Sequence, residues 1–133
     1  MTYLLDTNTC IRYLNGRSDR IRHHLESTRS QDIRVCAVVK AELFYGSMKS
    51  QHPERNLTKQ TRFLDRFMSL PFDDKAAIAY GEIRASLEKV GTPIGPNDLM
   101  IAAIAVANMV TLVSHNTREF FRISALDIID WEI

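Results

Sequence analysis

Long apolar runs are missing from this sequence of 133 residues. No stretch approaches the roughly 20 apolar residues that a membrane-spanning helix needs. The amino terminus also lacks the basic and then apolar pattern of a secretory signal. Cysteine is scarce, and Cys10 and Cys36 lie in apolar stretches without the spacing of a metal or redox motif, so we expect reduced core thiols. These absences predict a cytoplasmic protein.

Internal repeats, low-complexity tracts and linker-like segments are also absent. The chain is 45% hydrophobic, which at this length suffices for one sizeable core. It is too short for two comfortable domains. We therefore expect a single domain over residues 1–133.

The net charge of +1 is spread unevenly along the chain. Residues 1–72 carry 12 basic and 7 acidic side chains, a net of +5, whereas the remainder carries 5 basic and 9 acidic ones, a net of −4. If the four carboxylates described below (Asp6, Glu42, Asp98 and Glu119) bind cations, the remaining side chains have a net charge of +5. Such a surface suits an anionic partner, although solvated helix faces are the more common fate of arginines.

Apolar, strand-prone segments alternate with helical patterns along the chain. This alternation predicts an α/β fold with a parallel sheet and helices on both faces. The predicted strands are 2–5, 33–39, 109–113 and 127–131, and 70–72 is a short strand or a turn. The predicted helices begin near Thr7 and cover 18–30, 40–48, 54–68, 73–90 and 99–106, with a short one around Glu119.

The first strand ends on a carboxylate, Asp6, and turns directly into a helix that we expect Asn8 and Thr9 to cap. Three further acids follow at comparable places. Glu42 comes soon after the second strand, Asp98 opens an alanine-rich helix, and Glu119 follows the strand at 109–113. In an open α/β sheet such segments emerge at one edge, where ligands bind.

Several ionised carboxylates in one pocket require a cation or protons. Two unit charges about 5 Å apart at an effective dielectric near 20 repel by roughly 3 kcal/mol. We expect the cation to be Mg²⁺ or Mn²⁺, because Mg²⁺ takes a few carboxylates, several waters and substrate phosphate oxygens as ligands. Taken singly, Asp6 and Asp98 could be helix caps, and Glu42 and Glu119 ordinary helix residues. Their joint placement favours a phosphodiester-cutting site.

The motifs occur in a characteristic order. Leu5-Asp6-Thr7-Asn8 is followed by Ala41-Glu42-Leu43 with Gly46, then by Pro93 to Asp98 with Ile101-Ala102-Ala103, and finally by Leu112 to Phe120. In this order and spacing they resemble a PIN-domain ribonuclease of the VapC toxin family, over essentially the whole chain. The resemblance implies a three-layer α/β/α sandwich with a mostly parallel central sheet.

The same resemblance implies a function and partners. Members are endoribonuclease toxins of toxin–antitoxin pairs that cut RNA, often transfer RNA, with Mg²⁺ or Mn²⁺. By position, the catalytic and metal-binding acids fall on Asp6, Glu42 and Asp98. A cognate antitoxin and a homodimer are expected. The candidate dimer face is Leu43, Phe44, Tyr45 and Met48, although core burial would explain these side chains equally well.

Two departures from the family pattern concern the site. Many relatives have aspartate where this chain has Asn116, so either Glu119 restores the charge or a second metal ion binds only with substrate. Together Glu119 and Asn116 would complete the metal site or orient the attacking water. Relatives also carry Ser or Thr where this chain has Ala37 and Val39, which predicts an uncapped start for the Glu42 helix.

Two other functions remain open from the sequence. One is a different Mg²⁺-dependent phosphohydrolase that uses Asp6, although Asp6-Thr7-Asn8 lacks the second aspartate of an Asp-x-Asp motif. The other is a catalytically silent PIN-like binding module.

Ser114 and Asn8 are candidates for supporting hydrogen bonds or phosphate contacts. The four histidines form no ligand pattern and are expected at the surface.

Overall fold

Five short strands form the centre of the fold. The computed structural model describes residues 1–133, and all neighbouring strands in the sheet run parallel. Their spatial order is β3-β2-β1-β4-β5. The strands are β1 (Tyr3–Leu5), β2 (Ile33–Cys36), β3 (Met68–Leu70), β4 (Thr111–Val113) and β5 (Ile128–Ile129).

Seven helices flank this sheet, which confirms the predicted three-layer α/β class. None of them is both long and apolar enough to cross a membrane. A 3₁₀ turn, Ser30–Asp32, precedes β2. The helices are α1 (Thr7–Leu14), α2 (Asp19–Ser27), α3 (Ala37–Met48), α4 (Pro53–Leu64), α5 (Asp74–Lys89), α6 (Pro96–Ala107) and α7 (Thr117–Phe120).

The strand order reverses beside the central strand β1. From β1 the chain builds outward through β2 to β3, and it then returns to place β4 on the opposite side of β1. Leu5 pairs with Val113, and the Asp6 N–H donates to the Val113 carbonyl at 3.1 Å. In open α/β sheets, the crevice at such a reversal, outside the carboxyl ends of the strands, is the usual ligand site.

A cluster of 30 buried apolar residues forms the core. The helix α6 lies deepest, with every residue from Ile101 to Ala105 fully buried. Its alanines allow the helix backbone to lie close to the sheet. The first turn of this helix carries Asp98, so the packing of α6 fixes where that carboxylate lies.

Several predicted element boundaries are wrong, and each has a local cause. The strand predicted from Met109 begins at Thr111, because α6 ends in a left-handed residue, Met109, with φ of +54°. The N–H groups of Met109 and Val110 donate to the carbonyls of Val106 and Ala105, which is a Schellman ending. The second strand stops at Cys36, and α3 begins there without a side-chain cap, as the missing Ser or Thr predicts.

Candidate active site

Asp6 lies at the carboxyl end of β1 and is 5% exposed. It is itself the N-cap of α1, since its Oδ1 accepts the Thr9 N–H at 2.9 Å. The expectation that Asn8 and Thr9 would cap this helix is therefore wrong. Burial raises the pKa of Asp6, while hydrogen bonds from Ser114 and Thr9 act in the opposite direction. Ser114 is itself buried at the end of β4.

Glu42 lies on α3 and is held from two sides. The Thr7 hydroxyl donates to Oε1 at 2.6 Å, and the Asn97 amide donates to Oε2 at 3.3 Å. These bonds tie α3 to the start of α1 and to the start of α6. Sequence reasoning missed both partners, although each is the immediate neighbour of a predicted acid, Asp6 or Asp98.

Asp98 occupies the first turn of α6 rather than its cap, because the helix begins at Pro96 with Gly95 as the N-cap. The side chain is partly buried. Desolvation raises its pKa to about 6, and the charges of three other acids add to this effect. Those acids are Asp6, Glu42 and Glu119.

Glu119 lies on the short helix α7, and its Oε2 accepts a hydrogen bond from the Asn116 amide at 3.2 Å. The Asn116 N–H in turn donates to the Ser114 hydroxyl at 2.9 Å. Ser114 therefore links this segment to Asp6, because it contacts both. Asn116 places its amide against a site acid, so it holds the Glu119 carboxylate.

We call Asp6, Glu42, Asp98 and Glu119 the acidic cluster. The structure brings Asp6, Glu42 and Glu119 within electrostatic reach of Asp98 at the carboxyl edge of the sheet. None of them forms an ion pair with a lysine, arginine or histidine of the chain. Carboxylate oxygens without a cation partner are the ligands that a hard divalent cation prefers. The residues present therefore fit such an ion.

A second group of acids lies beside the cluster, and sequence reasoning missed it. The Asp130 carboxylate lies 2.8 Å from Nδ1 of His115, and Glu132 lies 2.6 Å from Nε of Arg12. We call these four residues the C-terminal corner. Its His115, Asp130 and Glu132 have ligand atoms within 4.8 Å of one another, a tighter group than any three of the acidic cluster. The corner borders the site, since the charge of Glu132 helps to raise the pKa of Asp6.

The position of Asp130 and Glu132 after β5 was the signal that could have found them. They follow the last strand at the same edge as Asp6, by the same logic that identified the other acids. His115 is exposed, as expected, but the hydrogen bond that its Nδ1 donates to the Asp130 carboxylate raises its pKa.

A groove of about 650 Å³ opens next to Glu42. Polar groups of Thr7, Asn8 and Asn97 line the end close to the acidic cluster, and Tyr45 and Lys49 line the end on α3. Of the candidate dimer residues, Leu43 is buried in the core, while Tyr45 and Met48 are mostly exposed.

This fold and this site define a parallel α/β domain with a group of acids at the carboxyl edge of its sheet, where such folds bind ligands. The PIN domain family matches residues 3–126. The chain is 40% identical over 131 residues to the tRNA(fMet)-specific endonuclease VapC of Salmonella typhimurium, covering 98% of each chain. It is 41% identical over 133 residues to ribonuclease VapC2 of Rickettsia felis, covering 99% of each.

Solved structures agree with the sequence relatives. The chain superimposes with a TM-score of 0.93 on DNA-bound VapBC from Salmonella typhimurium, at 40% identity over 98% of both chains. The TM-score is 0.92 for VapBC2 from Rickettsia felis bound to a promoter DNA fragment, at 39% identity over 98% of this chain and 99% of the other. The chain therefore belongs to the VapC family of PIN-domain ribonucleases, which confirms the resemblance found in its motifs.

Proposed function

We propose that this chain is an endoribonuclease toxin that hydrolyses phosphodiester bonds in RNA with Mg²⁺ or Mn²⁺ at the acidic cluster. The observation that carries the proposal is that the charges of Asp6, Glu42 and Glu119 act on Asp98 and that none of the four carboxylates has a cation partner in the protein. A storage site for a metal would surround the ion with protein ligands, whereas Glu42, Asp98 and Glu119 are partly exposed and a groove opens beside Glu42. Membership of a ribonuclease family supports the same reaction.

The roles of the site residues follow from their contacts. Asp6, Asp98 and Glu42 would hold the ion, directly or through water. When bound, the ion supplies positive charge that offsets the negative charge developing on the scissile phosphodiester. Thr7 and Asn97 fix the direction of the Glu42 carboxylate. Glu119 and Asn116 would complete the metal site or orient the attacking water, and Ser114 connects them to Asp6.

Transfer RNA is the proposed substrate, and a cognate antitoxin is the proposed partner. The support is that a relative at 40% identity is named a tRNA(fMet)-specific endonuclease, and that similar structures are VapBC complexes. Which RNA this chain cuts depends on its own surface. An antitoxin that places a basic side chain among the unpaired acids would neutralise them, because it would supply the missing positive charge.

We also propose three properties that concern the whole chain. Residues 1–133 form one domain, supported by a single apolar cluster that includes both Leu4 and Trp131. The protein works in the cytoplasm, where its two buried free cysteines remain reduced. It forms a homodimer, with Tyr45 and Met48 available for contact; light scattering of the purified protein tests this.

The reaction is tested with total transfer RNA and purified protein. We expect fragments with Mg²⁺ or Mn²⁺, none with EDTA, and none from Asp98→Ala. The matched control is Asp74→Ala, which removes an exposed carboxylate from the first turn of another helix, α5. The control should cut as the wild type does.

Other outcomes would overturn the proposal. Equal cutting by Asp98→Ala would identify a contaminating nuclease. Release of phosphate from small esters without cutting of RNA would favour the phosphohydrolase alternative. Antitoxin binding without any hydrolysis of cellular RNA would favour the silent binding module.

A further inference from the structure

A row of unpaired cations lies on α4, away from the acidic cluster. Arg55, Lys59 and Arg62 are spaced by four and three residues, so they share one helix face. None of the three lies within 4.0 Å of a carboxylate. Arg55 and Arg62 are separated by about 10 Å along the axis, at roughly 1.5 Å per residue. This face therefore presents free positive charge over a distance longer than one phosphate group.

The surface around these cations is concave and polar. A depression of about 520 Å³ is lined by Arg55, Lys59 and Arg62 together with Thr58 and one acid, Glu54. No apolar side chain lines it. The cations and the Thr58 hydroxyl at this end match the phosphates and sugars of a nucleic acid strand. The groove beside Glu42 differs, since 6 of its 12 lining residues are hydrophobic.

This depression connects to the acidic cluster through shared residues. The groove beside Glu42 includes Ile11 and Gly46, which also line a second cavity of about 150 Å³ between α1, α3 and α4. That second cavity includes Lys59, which in turn lines the basic depression. Neighbouring concavities therefore share lining residues in a series that runs from Glu42 past Gly46 to the cations of α4, and we call this series the α3–α4 trough.

We propose that the α3–α4 trough is the docking track for a single-stranded segment of the RNA substrate, with Lys59 and Arg62 contacting phosphates while the scissile bond lies at the acidic cluster. This inference rests on the proposed endoribonuclease function and names the surface that holds its substrate. The cations of α4 attract the phosphates of the strand, whereas the acids repel a phosphate unless a cation accompanies it. Arg55 extends the track beyond Lys59.

Two variants test the track in different ways. Lys59→Ala with Arg62→Ala removes two charges from α4, and its control, Lys75→Ala with Lys89→Ala, removes two exposed charges from α5. Gly46→Leu fills the middle of the trough. A Cβ atom added at Gly46 meets no atom within 4 Å, and the same holds at Gly81 in α5, where Gly81→Leu is the control. Replacing a mid-helix glycine also favours the helix, so both variants should fold.

We expect Lys59→Ala/Arg62→Ala to raise KM for transfer RNA about tenfold with kcat within twofold of wild type. Binding is measured in EDTA with the Asp98→Asn background, where no cutting occurs. The slope of log Kd against log salt should become shallower by about 1.4, at roughly 0.7 for each phosphate contact to a single strand. Gly46→Leu should raise KM for transfer RNA but leave cutting of a dinucleotide unchanged. Both control variants should behave as wild type.

Defined results would overturn the track. If the wild type cuts RNA while the α4 variant keeps its KM and salt slope, the track is wrong and the proposed function stands. Equal losses in the α4 and α5 variants would reveal only a general charge effect. Loss of antitoxin binding with unchanged RNA binding would make this face a protein-docking surface. Failure of the wild type to cut RNA would instead contradict the proposed function, while the binding measurements still decide the track.

Discussion

The carboxyl edge of the sheet carries two neighbouring groups of acids that differ in how their charge is balanced. In the C-terminal corner, Glu132 pairs with Arg12 and Asp130 with His115. In the acidic cluster, Asp6 and Asp98 are at least partly buried and have no cation partner at all. The pKa of Asp98 is raised to about 6, because burial and the neighbouring acids disfavour its ionised form.

This difference in charge balance separates acids that stabilise the fold from acids that are available to bind a ligand. In the corner, each carboxylate has a basic partner within the chain, Arg12 for Glu132 and His115 for Asp130. The acidic cluster gathers like charges that burial makes more costly, and hydrogen bonds alone offset that cost. A protein that retains such a group leaves the remaining stabilisation to a cation. The following predictions test this comparison, from the largest expected effect to the smallest.

The largest effect is expected from Asp98→Asn. This change keeps the side-chain shape but removes one charge from the acidic cluster, so activity on RNA should fall by at least about 10²-fold. The same change should raise the Tm of the metal-free protein, because it relieves repulsion. Cleavage rates and thermal melts in EDTA measure the two effects, and Asp74→Asn should change neither. A lower Tm without metal would contradict the comparison.

The next largest effect is stabilisation by the metal. At a concentration of Mn²⁺ about 100 times its Kd, binding adds about 2.7 kcal/mol to the free energy of unfolding. For a chain of this size that corresponds to a Tm increase of roughly 10 °C. Thermal melts with increasing Mn²⁺ measure it, and Asp98→Asn should show a much smaller increase. An equal increase in that variant would place the ion elsewhere.

The stability of the metal-free protein and its affinity for Mn²⁺ should change with pH in opposite directions. Since the folded-state pKa of Asp98 lies near 6, above the usual 3.8, the folded protein binds more protons between these values than the unfolded chain. The metal-free protein should therefore lose stability as pH rises from about 4 to 6. Protons compete with the ion, so Mn²⁺ affinity should fall about tenfold per pH unit below 6. Calorimetric titrations from pH 5 to 8 measure this, and a flat affinity would contradict it.

Asn116→Asp adds a carboxylate to the acidic cluster at the position where many relatives have one. We expect a loss of about 1 kcal/mol in the stability of the metal-free protein, because the new charge lies against Glu119. Metal affinity should tighten. If Glu119→Gln abolishes cutting and Asn116→Asp does not rescue it, Glu119 orients the attacking water. If Asn116→Asp does rescue cutting, the role of Glu119 is to supply negative charge to the metal site. Unchanged stability and affinity in Asn116→Asp would separate this residue from the site.

The smallest effect is expected in the C-terminal corner. Glu132→Gln breaks the pair with Arg12, which is 44% exposed, so stability should fall by at most about 1 kcal/mol. Cutting should change less than tenfold, since Glu132 affects Asp6 only through a longer-range charge. Chemical denaturation and cleavage rates test this. A loss of activity as large as that of Asp98→Asn would erase the difference between the two regions.

Patterns that depend on one segment allowed much of this molecule to be predicted. The buried strand that ends on Asp6 and the alanine-rich helix after Asp98 gave the α/β class and two of the acids. The order of the motifs gave the family. Element ends were less predictable, because the left-handed turn at Met109 and the end of the second strand at Cys36 depend on backbone geometry that no local composition specifies.

Contacts between distant segments could not be read from the sequence. Glu42 is held by Thr7, 35 residues away, and by Asn97, 55 residues away. The corner joins Arg12 to Glu132 across nearly the whole chain. The positions of Asp130 and Glu132 after β5 could be read from the sequence, but their pairing with His115 and Arg12 could not.

The central claim is that the acidic cluster, and not the C-terminal corner, is the divalent metal site. Anomalous diffraction from crystals soaked in Mn²⁺ locates the ion directly. We predict a peak between the carboxylates of Asp6 and Asp98. A peak confined to His115, Asp130 and Glu132, whose ligand atoms already lie within 4.8 Å of one another, would contradict the account.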